Sequence, residues 1–218
     1  AAHDRRKAAT YTSRLPASLE LVNNGVEPKD VALDFTFKEW LRIPEVRERY
    51  RQEVEFADGQ IGRLLDELDS RGLLENTVVI FTSDHGEGLG QHNHLAHIHQ
   101  VYDTLIRIPL ILTLPGGEPR GLRLNDRVAL VDVFPTLAEM LGVEPPSPTS
   151  GRSVLPLIHG ETAAARPVIA ETYRTEAFTN KKAFISGRYK FIHSWSDERE
   201  WEELYDLEAD PDELVDLR

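Results

Sequence analysis

Asp84 and His85 stand together at the end of the apolar run Val78-Val79-Ile80-Phe81. A carboxylate is a hard oxygen donor and a neutral imidazole a borderline nitrogen donor, so the pair can share one divalent metal ion. Gly86 follows and lets the backbone turn tightly beside them. Five of the eight histidines crowd into the next stretch or open it: His85, His92, His94, His97 and His99. A neutral imidazole binds metal, whereas an imidazolium or a ring N–H binds an anion. One such histidine is an ordinary loop residue; the cluster beside Asp84 reads as functional. Asp84 has a plainer alternative, a strand-end carboxylate accepting backbone N–H groups of the next turn. Glu87 reads as structural or as an outer carboxylate for a ligating imidazole. The spacing Gly86-x-Gly88-x-Gly90 does not fit a dinucleotide fingerprint and reads as loop shape.

These residues need elements to place them. A β-branched apolar run ending in a polar pair is a buried strand over 77–83 that delivers its load to the carboxyl edge, where open α/β sheets bind ligands. Before it, Val46, Tyr50, Val54, Ala57, Ile61, Leu64, Leu65 and Leu68 recur at steps of three and four. That spacing predicts a helix of roughly seven turns with one buried stripe, begun near Pro44 and capped by Gly72. A short helix over 101–107 and a second buried strand over 109–115 follow. Residues 127–130 read as a further strand and Asp132 to Leu141 as a helix stopped by Gly142. A proline- and serine-rich loop fills 144–151. After about residue 160 the pattern turns to strands: 168–172, then a hairpin of 183–186 with 189–193 around Gly187-Arg188. The tail from Ser196 to Arg218 reads as acidic, with an Asp-Pro-Asp turn at 210–212, and residues 1–40 read as irregular.

Composition narrows the partners. A net charge of −12 argues against nucleic acid and against an anionic membrane surface. It does not exclude an anionic small substrate, because a bound cation reverses the local field. No apolar run approaches the length of a membrane span. The absence of cysteine removes disulfides, thiolate ligands and a cysteine nucleophile from these residues.

The string SDHGE-x-LG-x-H, followed by H-x-H-x-x-YD-x-x-I-R-I-P-L, resembles the sulfatase branch of the alkaline-phosphatase-like superfamily. Upstream, Tyr50-x-x-x-Val54-x-x-x-Asp58-x-x-Ile61-Gly62 is similar to the helix before that family's metal strand. Downstream, VDVFPTLAEMLGV (131–143), GRSVLPLIHG (151–160), GRYKFI (187–192) and ELYDLEADPDEL (203–214) keep the family's order. The resemblance implies an α/β fold: part of an alkaline-phosphatase-like α/β sandwich with a mostly parallel sheet, plus a small C-terminal antiparallel subdomain. Residues 1–160 would be the C-terminal part of the catalytic domain, and 161–218 the antiparallel subdomain with its acidic tail.

The resemblance also assigns roles. Asp84 and His85 match the strand-end pair that ligates one divalent cation, calcium first, with manganese or zinc as alternatives. His97 falls where relatives place a lysine or histidine against the anion and the leaving group, and His99 competes for that catalytic and substrate-binding role. His92 and His94 are weaker candidates, and Asp103 and Arg107 match buttressing positions. The implied activity is hydrolysis of a small-molecule or saccharide sulfate ester. The alternatives are a phosphonate or phosphate monoesterase or a phosphodiesterase on the same scaffold, and a noncatalytic remnant or binding module.

The family's nucleophile motif, Cys or Ser followed by x-Pro-x-Arg, has no match here. Ser147-Pro148-Thr149-Ser150-Gly151-Arg152 has the wrong spacing and follows the metal strand. The early Asp-Asp ligands are also unseen. The expectation is therefore a C-terminal portion of a longer enzyme, inactive alone. Its partner would be the missing N-terminal half, which would carry the formylglycine nucleophile. Apolar surface should stand uncovered.

Overall fold

The computed structural model describes residues 42–97, 99–117, 121–162, 164–173 and 179–218. The irregular segment expected over 1–40 lies outside the described residues. Helix α1 runs over Ile43–Ser70, with Pro44 in its first turn where no N–H is needed. It ends in a Schellman motif: Gly72 has a φ of +69°, its N–H donates to the Asp69 carbonyl and the Leu73 N–H to the Leu68 carbonyl. The helix and its caps match the periodicity. The burial does not, since α1 has no buried residue and Val54 and Leu64 are half exposed. An apolar stripe fixes which face turns inward, but burial needs a neighbour, and among the described residues little packs on that face.

Strand β1, Val79–Thr82, pairs antiparallel with β4, Leu110–Thr113. Both were expected to be buried; Phe81 and Ile111 are exposed, since among the described residues no layer covers that face. Every pairing among the described residues is antiparallel, so the parallel majority expected of the sheet is not represented by this pair. Between β1 and β4 lie a two-residue hairpin, β2 (Gly88–Leu89) with β3 (Leu95–Ala96), and the four-residue helix α2, Asp103–Ile106.

The stretch 127–130 is not a strand. Leu130–Asp132 forms a 3₁₀ turn because the buried Asp132 carboxylate accepts the Ala129 N–H at 2.8 Å, which curls the chain. Its other oxygen accepts the Arg152 N–H at 2.8 Å and an Arg166 guanidinium N–H. Helix α3, Val133–Met140, follows and stops at Gly142, and α4 is Leu155–Ile158.

The C-terminal sheet has four strands in the order β5 (Val168–Thr172), β6 (Asn180–Ser186), β7 (Tyr189–Trp195) and β8 (Glu200–Asp206). The expected hairpin is there, longer than read. β8 lies within the acidic tail, where no strand was expected. Trp201, Glu203 and Tyr205 alternate with the outward Glu200, Glu202 and Asp206, the period of a strand with one face covered. The sheet's inner face joins Val101 and Tyr102 in one core with Ala183, Ile192 and Tyr205. The α/β class and the antiparallel C-terminal sheet therefore stand.

Candidate functional site

β1 ends at Thr82, whose hydroxyl donates to the Pro109 carbonyl at 2.8 Å and holds the strand end against the start of β4. Asp84 and His85 emerge two residues later. Gly86 N–H donates to the Leu105 carbonyl at 2.7 Å, so the turn after the pair is fastened to α2. Asp84 presents its carboxylate to solvent, with 87% of the side chain exposed. Its Oδ1 accepts the His85 N–H at 2.9 Å, as the plainer reading of a strand-end aspartate expects.

His85 Nδ1 lies 2.8 Å from the Gly86 carbonyl. A carbonyl only accepts, so Nδ1 carries the proton and Nε2 keeps a free lone pair. That is the tautomer a metal-ligating imidazole needs. Nε2 stands 3.7 Å from Asp84 Oδ2. Two donors on one ion at about 2.1–2.4 Å each lie roughly 3–4 Å apart, so the pair fits as two corners of a shell. Among the described residues no group of three or more His, Cys, Asp or Glu is placed to hold a metal ion. The described residues offer two donors and not a full shell.

His97 comes to the same place from the far side of the β2–β3 hairpin. Its ring stacks on that of His85, with centroids 4.5 Å apart and planes 24° from parallel. Its Nδ1 donates to Glu87 Oε2 at 3.0 Å, which leaves Nε2 free. Glu87 therefore orients His97, an imidazole ten residues away, and not the neighbouring His85. That contact has no local sequence signature. His99 points elsewhere: its Nδ1 lies 3.3 Å from the Thr172 hydroxyl on β5. The structure brings together Asp84, His85, Glu87 and His97, and turns His99 toward the C-terminal sheet.

His92 and His94 have structural surroundings. The His92 ring stacks on Tyr102, 3.7 Å between centroids, and burial lowers its pKa. His94 is buried and its Nε2 accepts from the Gln100 amide. Burial first, then the nearby Lys181 charge, lowers its pKa to about 3. The loop that sorts these rings is strained. His92, Asn93, Ala96 and His99 all take left-handed φ of 46–70°, a region non-glycine residues enter only when their surroundings impose it.

Lys181, on β6 between Thr172 and Ser194, is 4% exposed. Desolvation lowers its pKa from 10.5 to about 8, with the Glu203 charge working against the shift, and its Nζ lies 5.2 Å from the Trp201 ring. The folded pKa is below the unfolded one, so folding penalises the ammonium fully below pH 8. The penalty fades as pH rises to about 10.4, where both states are neutral. Lys181→Met is expected to stabilise the chain at pH 7 by about 2 kcal/mol, allowing for the lost cation–π contact. Urea unfolding of both proteins at pH 7 and pH 10 checks this; a gain that does not shrink at the higher pH would refute it.

The sulfatase family profile matches residues 4–143, and the profile of the N-sulphoglucosamine sulphohydrolase C-terminal region matches residues 90–218. Arylsulfatase K of Xenopus laevis is 30% identical over 198 residues, 87% of this chain and 36% of that protein. Choline-sulfatase of Rhizobium meliloti is 34% identical, over 78% of this chain and 33% of that protein. N-acetylglucosamine-6-O-sulfatase of Bacteroides thetaiotaomicron is also 34% identical, over 77% and 31%. Among solved structures, a protein in complex with its substrate D-glucosamine-2-N,6-O-disulfate superposes with a TM-score of 0.64 at 30% identity, over 75% of this chain and 34% of that one. The phosphonate monoester hydrolase of Agrobacterium radiobacter gives 0.64 at 28% identity, over 73% and 34%. The chain spans about a third of the length of the curated relatives it matches. With profiles that together run almost from end to end and relatives of one kind, this chain belongs to the sulfatase family, within the alkaline-phosphatase-like superfamily.

Proposed function

We propose that this chain carries part of the active site of an enzyme that hydrolyses sulfate esters. In this reading Asp84 and His85 are donors to one divalent cation and His97 is the acid that serves the leaving group. The supporting observation is the convergence of His97, oriented by Glu87, on the ring of His85. An imidazolium whose Nδ1–H is held by a carboxylate turns its Nε2–H outward, where it can hand that proton to a departing alkoxide and remain as the neutral Nδ1–H ring. His99 is the second candidate for that role and for contact with the anion. A bound cation supplies polarisation of the ester oxygens and a lower pKa for the nucleophile. Calcium is our first choice, with manganese or zinc as alternatives. The formylglycine nucleophile expected of the family derives from cysteine. This chain has none, so that group lies outside these 218 residues and the chain alone is expected to be inactive. The names of the relatives support a small-molecule or saccharide sulfate as substrate.

One observation favours a second reading, a phosphonate or phosphate monoesterase: the likeness to a phosphonate monoester hydrolase. A panel of sulfate, phosphate and phosphonate esters, tested on an enzyme carrying this segment, separates the two. Sulfate turnover should dominate. His97→Ala should slow esters with poor leaving groups about 100-fold and 4-nitrophenyl sulfate far less. Phosphoryl preference with no sulfatase activity selects the second reading, and equal slowing of all leaving groups removes His97 as the acid.

A further inference from the structure

Lys190, on β7, has no exposed side-chain surface. Its Nζ donates to Asp103 Oδ1 at 2.9 Å and pairs with Glu213 Oε1 at 2.6 Å. The other Glu213 oxygen accepts the Asp103 backbone N–H at 2.6 Å. Asp103, the first residue of α2, is thus gripped at its side chain and its backbone by one buried cluster. Its neighbour Tyr102 is gripped as well, its hydroxyl donating to Glu203 Oε1 at 2.7 Å, an oxygen that also accepts from Tyr205. Two bonds carry this fixation onward. The Leu105 N–H donates to the Tyr102 carbonyl at 2.8 Å, and the Leu105 carbonyl accepts Gly86 N–H at 2.7 Å. Gly86 is the residue after His85 and the acceptor of its Nδ1–H.

Stability alone does not account for the cluster. A buried ion pair replaced by apolar side chains of similar volume often leaves a protein as stable or more so. A methionine stem would fill the space of Lys190. What it would not supply is direction: the Lys190 ammonium bonds the Asp103 carboxylate and pairs with Glu213, whose other oxygen holds the Asp103 N–H, and together these set where α2 begins and how it is turned.

We propose that Lys190, acting with Glu213, is a positioning residue for the Asp84–His85 pair. It seats α2 on the C-terminal sheet, and α2 in turn seats Gly86. This rests on the reading of Asp84 and His85 as cation donors. The C-terminal sheet is then the gauge that sets the donor pair, from a strand that never touches it.

Amide hydrogen exchange by NMR on the 218-residue chain tests this, in wild type, Lys190→Met and the control Ile185→Val. Ile185 faces Lys190 across the β6–β7 pair and is 4% exposed. Lys190→Met should speed Gly86 exchange at least tenfold relative to the β6 and β7 amides. It should also weaken Mn²⁺ binding about tenfold, read from paramagnetic broadening of the His85 ring signals. Ile185→Val should do neither. Gly86 exchange that stays at the wild-type rate, or that rises only in step with the sheet amides, overturns the proposal. Should Lys190→Met not fold, the triple variant Lys190→Met, Asp103→Asn, Glu213→Gln leaves no buried charge unpaired and is read by the same Gly86 amide. If the wild-type chain does not broaden with Mn²⁺, the cation reading fails, while Gly86 exchange still decides the positioning role.

Discussion

Acidification from pH 6.5 to 3 should withdraw on the order of 4 kcal/mol of folding free energy at His94 alone. The folded chain holds this imidazole neutral down to about pH 3, because burial and the nearby charges of Lys181 and His92 all oppose protonation. The unfolded chain protonates it near pH 6.5. Above that value neither state binds the proton and stability is whole. Below it the unfolded state gains a proton that the folded state refuses, and stability falls by about 1.4 kcal/mol per pH unit. Carboxylates contribute a background to any acid transition, so the measurement is a difference. Urea unfolding at pH 6.5 and 4.5 should show wild type losing about 2–3 kcal/mol more than His94→Gln, whose amide oxygen can still accept from Gln100. Equal losses in the two proteins would clear His94 of the effect.

Gly86→Ala should be the most damaging single methyl in the site. A Cβ there would stand 2.1 Å from the Thr104 carbonyl oxygen and 3.2 Å from the Leu105 Cα, both backbone atoms. No rotamer change relieves such a clash. Either α2 retreats or the turn after His85 does, and in both cases the bond from Gly86 N–H to the Leu105 carbonyl is lost. We expect a cost of about 3 kcal/mol or more, above the usual range for an added methyl because the obstacle is main chain. Gly72→Ala is the informative comparison: nothing lies within 4 Å of its Cβ, so only its positive φ is penalised. Equal destabilisation by the two substitutions, in thermal or urea unfolding, would show that packing against α2 does not constrain Gly86.

The parts of this molecule that a sequence displays are those written in one local period. The 28 residues of α1, their proline start and glycine stop, and the β6–β7 hairpin turn are all of that kind. β8 was hidden because its inward residues include Glu203, a carboxylate that looks solvent-bound until Tyr102 and Tyr205 are seen to donate to it. Residues 128–130 form a short apolar run that reads like a strand, yet Asp132 captures the Ala129 N–H and bends it, a competition that the residue pattern does not register. The site divides in the same way. Asp84 and His85 are legible as a strand-end pair. That His97 rather than His99 stacks on His85, and that His94 turns inward, goes with left-handed turns at His92, Asn93 and Ala96; asparagine and histidine tolerate that region, but nothing in the sequence marks Ala96 for it.

The bonds that fix Asp103 reach across 87 residues to Lys190 and 110 to Glu213. During synthesis, the donor pair at 84–85 therefore leaves the ribosome long before the groups that set its geometry exist. Closing such loops is slow compared with local structure formation, so β1 and the histidine loop should form early and remain loosely set. Only when the segment containing Glu213 has emerged can α2 be seated and the pair take its final position. A nascent chain arrested short of Glu213 would hold both proposed donor side chains, Asp84 and His85, and still lack their arrangement, so competence to bind a cation would wait on the segment that carries Glu213.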